Sequence, residues 1–387
     1  MSNNTSPHTG KRIVAIDVLR GMTVAGMILV NNPGSWTYRY AAVQHAEWNG
    51  LTPTDLVFPF FLFIMGVSMY ISLSKHGISL DREMGLKILR RSLLLIVIGW
   101  VLDFFGVFLY RWFSPESGGT LLDRLVYAVD YFPRMRILGV FPRLGLTYGF
   151  AALLLLTVRP RGLRWIAGLT LVGYGVLLAL GSGYVYGPEN ILGRVDRAVL
   201  GVNHMYNENG IDPEGVLSTI PAIVHVLVGA LVGERLFRTP PDRRVLMLVL
   251  VGGALVLGGV LPAEWLPINK KVWSPTFVLV TCGLATMLLG LLIRVTDERG
   301  WVQWCGFFRH FGANALFTYL LSYILAQLML QIPVRADGAC GTVVVWEALS
   351  GVLPSPELAS LTHALLFVGV NWIFAYLLYR REIFIKL

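Results

Sequence analysis

The stretch that decides the fold is His45-Ala-Glu-Trp-Asn-Gly-Leu-Thr-Pro-Thr-Asp-Leu-Val-Phe-Pro-Phe-Phe-Leu-Phe-Ile-Met-Gly66, in which a polar segment runs directly into a long apolar one. Thr52 suits a helix N-cap, Pro53 suits the first helical position, and Asp55 follows the cap by three residues, as in a capping box. The spacing predicts a helix that begins at residue 53. Because this start fixes the depth of His45, the stretch predicts a membrane scaffold that presents a histidine at one face of a bilayer.

The composition extends this interpretation to the whole chain of 387 residues. It is 55% hydrophobic and 14% charged, which leaves too few charges to cover the surface of a soluble protein of this length. Apolar runs of about 18 or more residues recur, as in transmembrane helices. Ten spans are predicted, at approximately 13–31, 53–74, 87–110, 136–157, 163–181, 216–236, 245–261, 273–294, 306–330 and 358–379. The predicted fold class is an all-α polytopic membrane protein with a tail (1–12) and a single transmembrane domain (13–387).

The net charge of +9 is distributed in short basic clusters between the apolar runs. This is the pattern that the positive-inside rule describes, and it predicts that both termini are cytoplasmic. No basic stripe with interleaved aromatic residues is present, so the charge does not indicate a nucleic-acid-binding protein. The long connections, which are rich in polar and turn-forming residues, all fall on the outer side. We expect them to form an outward-facing pocket, from residues 32–52, 111–135, 182–215 and 331–357.

The cysteines and histidines do not indicate a metal site. Cys282, Cys305 and Cys340 lie far apart and form no CxxC pair, so neither a disulfide framework nor a zinc site is predicted. No group of histidines has the spacing of metal ligands. We therefore expect no metal.

His45 is the strongest candidate for chemistry. An imidazole exchanges protons near neutral pH and can also accept an acyl group. Asn31, at the outer end of the first span, could donate an amide hydrogen bond to a carbonyl oxygen that becomes an oxyanion. From spacing alone, Asp55 either orients the imidazole or caps the helix. Trp48 either stacks on a sugar or belongs to an interfacial aromatic belt.

Charged residues within the first span form a second candidate group. Asp17 and Arg20 are three residues apart on a helix and could pair with each other. Charges at membrane depth are costly and usually face a cavity or a partner. The pair is therefore either a structural ion pair at the cytoplasmic interface or the place where Arg20 holds an anionic ligand.

Several segments resemble one family of transmembrane acyltransferases. The resemblance is carried by Val30-Asn31, His45–Phe61, Asp17–Gly21, Arg136–Gly145, Asp212–Pro221 and Pro267–Lys271. These segments are similar to the heparan-α-glucosaminide N-acetyltransferase family, and in particular to its bacterial, NagX-type members. The resemblance extends from Arg12 to Lys386, and its most specific part is the His45 segment.

The resemblance implies transfer of an acetyl group from cytosolic acetyl-CoA, across a bacterial inner membrane, to the amino group of a glucosamine-type sugar on the far side. The histidine and asparagine of the family match His45 and Asn31. His45 would act as the base for direct attack by the amine, with an acetyl-imidazole intermediate as the other route. The resemblance also suggests a homodimer.

Binding residues follow from the same resemblance. Acetyl-CoA is anionic and is made inside the cell, so its phosphates should lie against the basic inner segments. The candidates for these phosphates are Arg20, Arg90, Arg91, Arg159 and Arg161. The candidates for the acceptor are Trp48, Asn49, Arg136, Arg143, Asp212, Glu214 and Lys270, although the two arginines in this set could instead support the floor of the pocket.

Three other functions compete with N-acetyl transfer. The first is O-acetylation of a periplasmic glycan by the same chemistry. The second is a permease for an amino sugar, which the one-sided long connections and the lack of an internal repeat argue against. The third is a purely structural scaffold, which explains the helices and leaves Asn31, His45 and Asp55 without a role.

Overall fold

The computed structural model describes residues 13–75, 77–206 and 208–385, and the predicted tail lies outside these ranges. Within them the chain is α-helical and contains no β-strand, so the predicted all-α class is confirmed. The helices are α1 (Val14–Asn31), α2 (Val57–Lys75), α3 (Arg82–Trp112), α4 (Leu121–Val129), α5 (Val140–Thr157), α6 (Pro160–Leu180), α7 (Ile191–Val199), α8 (Val216–Arg238), α9 (Arg244–Val260), α10 (Pro275–Leu292), α11 (Gly306–Ala313), α12 (Ala315–Gln331), α13 (Gly341–Ser350) and α14 (Pro356–Arg380).

The described ranges hold nine helical segments that are long and apolar enough to cross a membrane, and a tenth if the bent pair α11 and α12 is one span. The chain is therefore a multi-pass membrane protein, as the hydropathy pattern predicts. Short 3-10 turns at Pro241–Arg243 and Leu261–Glu264 continue α9 at both ends. The seventh span is thus longer than the sequence suggested.

The predicted straight span 306–330 is wrong in one respect, because it bends by 76° at Asn314. The side chain of Asn314 donates to the carbonyl oxygen of Ile383 at 2.8 Å and accepts from the N–H of Ile385 at 2.8 Å. An asparagine side chain competes with the backbone of a helix for hydrogen bonds. Here the side chain of Asn314 binds the backbone of the segment after α14. The break therefore joins α11, α12 and the C-terminal end of the described chain.

Close packing between α2 and α8 depends on residues without a side chain. A Cβ atom at Gly66 of α2 would collide with the carbonyl oxygen of Val226, and one at Gly229 of α8 would collide with that of Phe63. Small residues allow helix backbones to approach within a membrane, where van der Waals packing is a main source of helix association. These glycines therefore fix α2, the helix that follows the His45 segment, against α8.

Hydrogen bonds between the connecting segments divide these segments into two groups, one at each end of the bundle. This is expected when successive spans alternate in direction. The N–H of Val14 donates to Asp297, between α10 and α11, at 2.8 Å. At the other end of the bundle, the N–H of Gly50, between α1 and α2, donates to the carbonyl oxygen of Ile268, between α9 and α10, at 2.8 Å. We call this second end, which carries the polar segment before α2, the His45 end. The N-in orientation stays a prediction.

Candidate active site

The centre of the candidate site is a hydrogen bond between His45 and Asp55. Nδ1 of His45 lies 2.6 Å from Oδ1 of Asp55, and the carboxylate is almost fully buried while 43% of the imidazole is exposed. Because an ionised carboxylate can only accept, Nδ1 is the donor. The neutral imidazole then carries its lone pair on Nε2, where it can accept a proton.

The second oxygen of Asp55 caps the start of the helix. Oδ2 accepts the N–H of Ala46 at 3.1 Å, the N–H of Thr52 at 3.1 Å and the hydroxyl of Thr52 at 2.9 Å. A 3-10 turn, Pro53–Leu56, then leads directly into α2, and its capping box is confirmed. The two alternatives for Asp55 are therefore both realised, because one oxygen contacts the histidine and the other closes the cap.

Lys270 brings a primary amine to the same pair. Its Nζ lies 3.0 Å from Nδ1 and 3.5 Å from Nε2 of His45, and 3.4 Å from Oδ1 of Asp55. Burial lowers the pKa of the Lys270 ammonium below its ordinary value, although the carboxylates of Asp55 and Glu214 oppose the shift. The histidine, the carboxylate and the amine therefore form one contact group.

The turn that carries Lys270 is held against the His45 segment by asparagine side chains. Nδ2 of Asn269 donates to Oδ1 of Asn49 at 3.0 Å, and Oδ1 of Asn269 accepts the N–H of Val272 at 3.1 Å. Asn269 is fully buried. Asn49 therefore positions the lysine turn through a side chain that the sequence did not single out.

An aromatic and charged surface lies beside this group. The rings of Trp48 and Tyr186 are 4.8 Å apart, and Nε1 of Trp48 donates to the carbonyl oxygen of Tyr184 at 2.8 Å. Nζ of Lys271 lies 5.1 Å from the centre of the Tyr186 ring and 2.6 Å from Oε1 of Glu208. Such a surface combines ring faces with hydrogen-bonding groups, as a sugar requires.

Arg136, Asp212 and Glu214 form an ion-pair network at the same end. Nη2 of Arg136 lies 2.5 Å from Oδ1 of Asp212 and 2.7 Å from Oε2 of Glu214. Burial raises the pKa of Asp212. At Glu214 burial acts in the same direction, but Arg136, Arg143 and Lys270 together leave the pKa of that carboxyl lowered. These three candidates for acceptor binding are thus joined to one another, with one guanidinium shared between two carboxylates.

Arg143 lies deeper, in α5, and is fully buried. It donates to the hydroxyl of Ser218 and, at 3.4 Å, to the carbonyl oxygen of Gly215. Its guanidinium also lies 5.0 Å from the centre of the Trp273 ring. These contacts are those of a side chain that supports the first turn of α8 beneath the site.

Asn31 is the last residue of α1 and is exposed. Its side chain lies within hydrogen-bonding reach of the Tyr319 hydroxyl on α12. It lines a shallow cleft together with Trp36, His363 and Phe367. None of the hydrogen bonds within the described ranges joins Asn31 to His45, so their action on one substrate stays a prediction.

The arginines proposed for the phosphates of acetyl-CoA stand on three helices. Arg20 of α1 donates to Asp17 at 3.2 Å, to Ser68 at 2.7 Å and to the carbonyl oxygen of Gly312 at 3.2 Å. The predicted pair with Asp17 is therefore confirmed.

Of the other four, two lie within α3 and two at the start of α6. Arg91 lies over the ring of Tyr148 at 4.5 Å, whereas Arg90, Arg159 and Arg161 are exposed on α3 and at the start of α6. Their grouping around one ligand stays a prediction.

Sequence reasoning missed several residues of the site. Asn269, Lys271, Glu208 and Tyr186 position or surround the His45 group, and none of them was a candidate. Lys271 offered a signal, because two consecutive lysines in the connection between two apolar spans need anionic partners. Its partner Glu208 is 63 residues away in the sequence, and no local pattern indicates that pairing.

The fold and the site together define a multi-pass helical membrane protein that holds a histidine–carboxylate pair at one end of its bundle. Residues 12–116, which include Asn31, His45 and Asp55, match the family model described as heparan-alpha-glucosaminide N-acetyltransferase, catalytic.

Two relatives carry the same description. The heparan-alpha-glucosaminide N-acetyltransferase of Mus musculus is 29% identical over 378 residues, which cover 82% of this chain and 54% of the relative. That of Homo sapiens is 28% identical over 438 residues, which cover 97% of this chain and 60% of the relative. The chain thus spans between half and three fifths of the length of these relatives.

Proposed function

We propose that this chain is a transmembrane N-acetyltransferase of the heparan-α-glucosaminide family, with residues 13–387 as a single acyltransferase domain. It moves the acetyl group of cytosolic acetyl-CoA to the amino group of a glucosamine-type sugar at the outer face of a bacterial inner membrane. The observation that carries the proposal is the contact of His45 with Asp55, which places the lone pair of the neutral imidazole on Nε2, where it can accept a proton. The match of residues 12–116 to the catalytic family model supports it.

In the reaction, the sugar amine attacks the thioester carbonyl while Nε2 of His45 takes a proton from the amine. Asp55 holds the imidazole in the correct tautomer and stabilises the imidazolium that forms, as a carboxylate does in other histidine-based sites. Asn31 donates its amide hydrogen to the oxyanion. Collapse of the tetrahedral intermediate breaks the C–S bond, and His45 returns the proton to the departing thiolate.

Direct attack is favoured over an acetyl-imidazole intermediate by the neighbourhood of His45. Lys270 and Asp55 both lie against Nδ1, so the ring is held as a base with a fixed orientation. A ring that carries the acetyl group would also have to give up its contact with the lysine amine. Rapid mixing with acetyl-CoA alone, followed by detection of acetylated His45, would support the other route.

Each substrate has candidate contacts of its own. On the donor side, the proposed contacts of the acetyl-CoA phosphates are five arginines: Arg20, Arg90, Arg91, Arg159 and Arg161.

On the acceptor side, Trp48 and Tyr186 provide ring faces, and Lys270 and Lys271 provide amine groups. Asn49, Arg136, Arg143, Asp212 and Glu214 act on the acceptor indirectly, by holding the segments around it. A homodimer is proposed on the family resemblance alone.

Purified protein in detergent, supplied with acetyl-CoA and glucosamine, tests the proposal. We expect N-acetylglucosamine to form, and His45→Ala to lower turnover by about 10²–10⁴-fold, the usual contribution of a general base. Turnover near the wild-type rate in a folded His45→Ala variant would overturn the site.

A sugar without an amino group, used as acceptor, separates N- from O-acetylation. Uptake of labelled glucosamine into proteoliposomes without acetyl-CoA would instead indicate a permease.

A further inference from the structure

Two consecutive lysines at the His45 end have different surroundings. Nζ of Lys270 lies against the His45 ring, 3.0 and 3.5 Å from its two nitrogens. Nζ of Lys271 lies 2.6 Å from Oε1 of Glu208 and 2.5 Å from the carbonyl oxygen of Glu47. Both amines lie near a carboxylate, since Nζ of Lys270 is 3.4 Å from Oδ1 of Asp55, but Lys270 is the one of the two that lies against the proposed base.

We propose that Lys270 is a self-acetylation site of this protein, which accepts the acetyl group when acetyl-CoA is bound and no sugar is present. The inference rests on the proposed function, because that function supplies the donor and the base. Its own observation is the position of Nζ. A primary amine next to the imidazole is the group on which the proposed reaction acts, and Lys270 supplies one from within the chain.

The electrostatics of the two lysines favour the same choice. Acylation requires the neutral amine, and burial lowers the pKa of Lys270 even though Asp55 and Glu214 oppose the shift. Lys271 is tied to the carboxylate of Glu208 at 2.6 Å, and acylation of its amine would break this contact.

The step is balanced without any further reactant. The neutral amine of Lys270 forms a bond from Nζ to the acetyl carbon, and the C–S bond of acetyl-CoA breaks. The proton that leaves Nζ passes to Nε2 of His45 and then to the thiolate, so that the products are N-acetyl-lysine and free CoA. An amide is not an acyl donor to another amine, and the modification therefore ends there.

Acetylation would change the site in two ways. It removes the positive charge that lies 3.4 Å from Oδ1 of Asp55, and it places an acetyl group beside the imidazole. Both effects close the position that the sugar amine needs. Self-acetylation therefore inactivates the protein when the donor is plentiful and the acceptor is absent.

The test uses the full chain in detergent, incubated with acetyl-CoA and no sugar, with acetyl-lysine quantified by mass spectrometry at each lysine. We expect acetylation of Lys270 to be about 100-fold faster than that of Lys271, since a positioned base contributes about 10²-fold or more. Lys75, which is exposed at the end of α2, reports the uncatalysed background. Equal rates on Lys270 and Lys271 would overturn the inference.

Two variants and one ligand complete the design. His45→Ala should lower the Lys270 rate to that of Lys271, and His45→Gln serves the same purpose if the alanine variant does not fold. Glucosamine should protect Lys270, because its amine competes for the same position. Acetylation of Lys270 that persists in the folded His45 variants, or that glucosamine leaves unchanged, would contradict catalysis of this step by the site.

A parallel assay of sugar acetylation by the wild type separates the two proposals. If N-acetylglucosamine forms and Lys270 stays unmodified, the self-acetylation site is wrong and the proposed function stands. If neither amine is acetylated, the proposed function fails and the inference fails with it. Lys270→Arg keeps a positive charge but has no lysine amine to acylate. It should abolish acetylation at position 270 without raising acetylation of Lys271.

Discussion

Asp55 contacts His45 through one carboxylate oxygen, at 2.6 Å, and closes the cap of the first helical turn before α2 through the other. The orientation of the imidazole and the start of the helix therefore depend on one side chain. A substitution at this position changes both, and a substitution at Thr52 changes mainly the cap. This difference separates a chemical role from a structural one.

We expect Asp55→Asn to lower kcat by about 10²–10⁴-fold, because an amide N–H opposite Nδ1 favours the tautomer whose Nε2 is protonated. The variant should also lose about 1 kcal/mol of stability with the weakened cap. Steady-state kinetics and thermal unfolding in detergent measure the two effects.

Thr52→Ala is the matched control for the cap. It removes the hydroxyl that donates to Asp55 at 2.9 Å and should cost about 1 kcal/mol as well, with a far smaller loss of kcat. Equal losses of kcat in the two variants would mean that Asp55 acts only through the helix start.

Asn31→Ala should lower kcat by about 10²–10³-fold with little change in KM, the usual result of removing an oxyanion donor. The matched control is Asn32→Ala, since Nδ2 of Asn32 donates to the carbonyl oxygen of Ile28 at the end of α1. We expect the control to lose stability and to keep most of its kcat. If Asn32→Ala is the more damaging of the two for kcat, Asn31 is not the oxyanion donor.

Asp196 in α7 predicts a pH dependence of stability. Its Oδ1 accepts the N–H of Val216 at 2.8 Å, and burial raises the pKa of the carboxyl from 3.8 to about 6. The folded protein thus binds this proton more tightly than the unfolded chain does. The stabilisation is complete below about pH 4 and is lost as the pH rises through about 6.

Asp196→Asn should remove this contribution. We expect the decrease in Tm between pH 4.5 and pH 7 to be smaller in the variant than in the wild type. Differential scanning fluorimetry at the two pH values measures it. An unchanged difference between the two Tm values would show that the carboxyl does not titrate in this range.

The contact of α2 with α8 predicts a steric effect. Gly229→Ala places a methyl group against the carbonyl oxygen of Phe63 and should cost about 1–3 kcal/mol. Gly173→Ala in α6 is the matched control, because a Cβ there meets no atom within 4 Å among the described residues. The control should unfold at or slightly above the wild-type temperature, and a Gly229→Ala protein that does the same would contradict the close packing.

The features that could be predicted from the sequence are those that depend on residues close together in the chain. Apolar runs located the spans, because twenty or so apolar residues are needed to cross the hydrocarbon core. The spacing from Thr52 to Asp55 predicted the cap, since both partners lie within one turn. The same spacing left the contact between Asp55 and His45 open, because a ten-residue polar segment can fold in several ways.

The features that could not be predicted from the sequence are contacts between residues far apart in the chain. Lys270 is 225 residues from His45, and Arg136 is 76 residues from Asp212. These pairs form only when the helices have packed. The bend at Asn314 was also missed, because a single polar residue in an apolar run is compatible with a straight helix. Its side chain breaks the helix by binding a segment about 70 residues further along the chain.

The double role of Asp55 offers a way to observe the active site without a substrate. The amide hydrogens of Ala46 and Thr52 both point at Oδ2 of Asp55, so each is shielded from solvent only while the carboxylate is in place. Their exchange with deuterated water therefore reports how often the histidine loses its orienting partner. A bound ligand that slows this exchange rigidifies the site, and one that speeds it loosens the first turn of the helix.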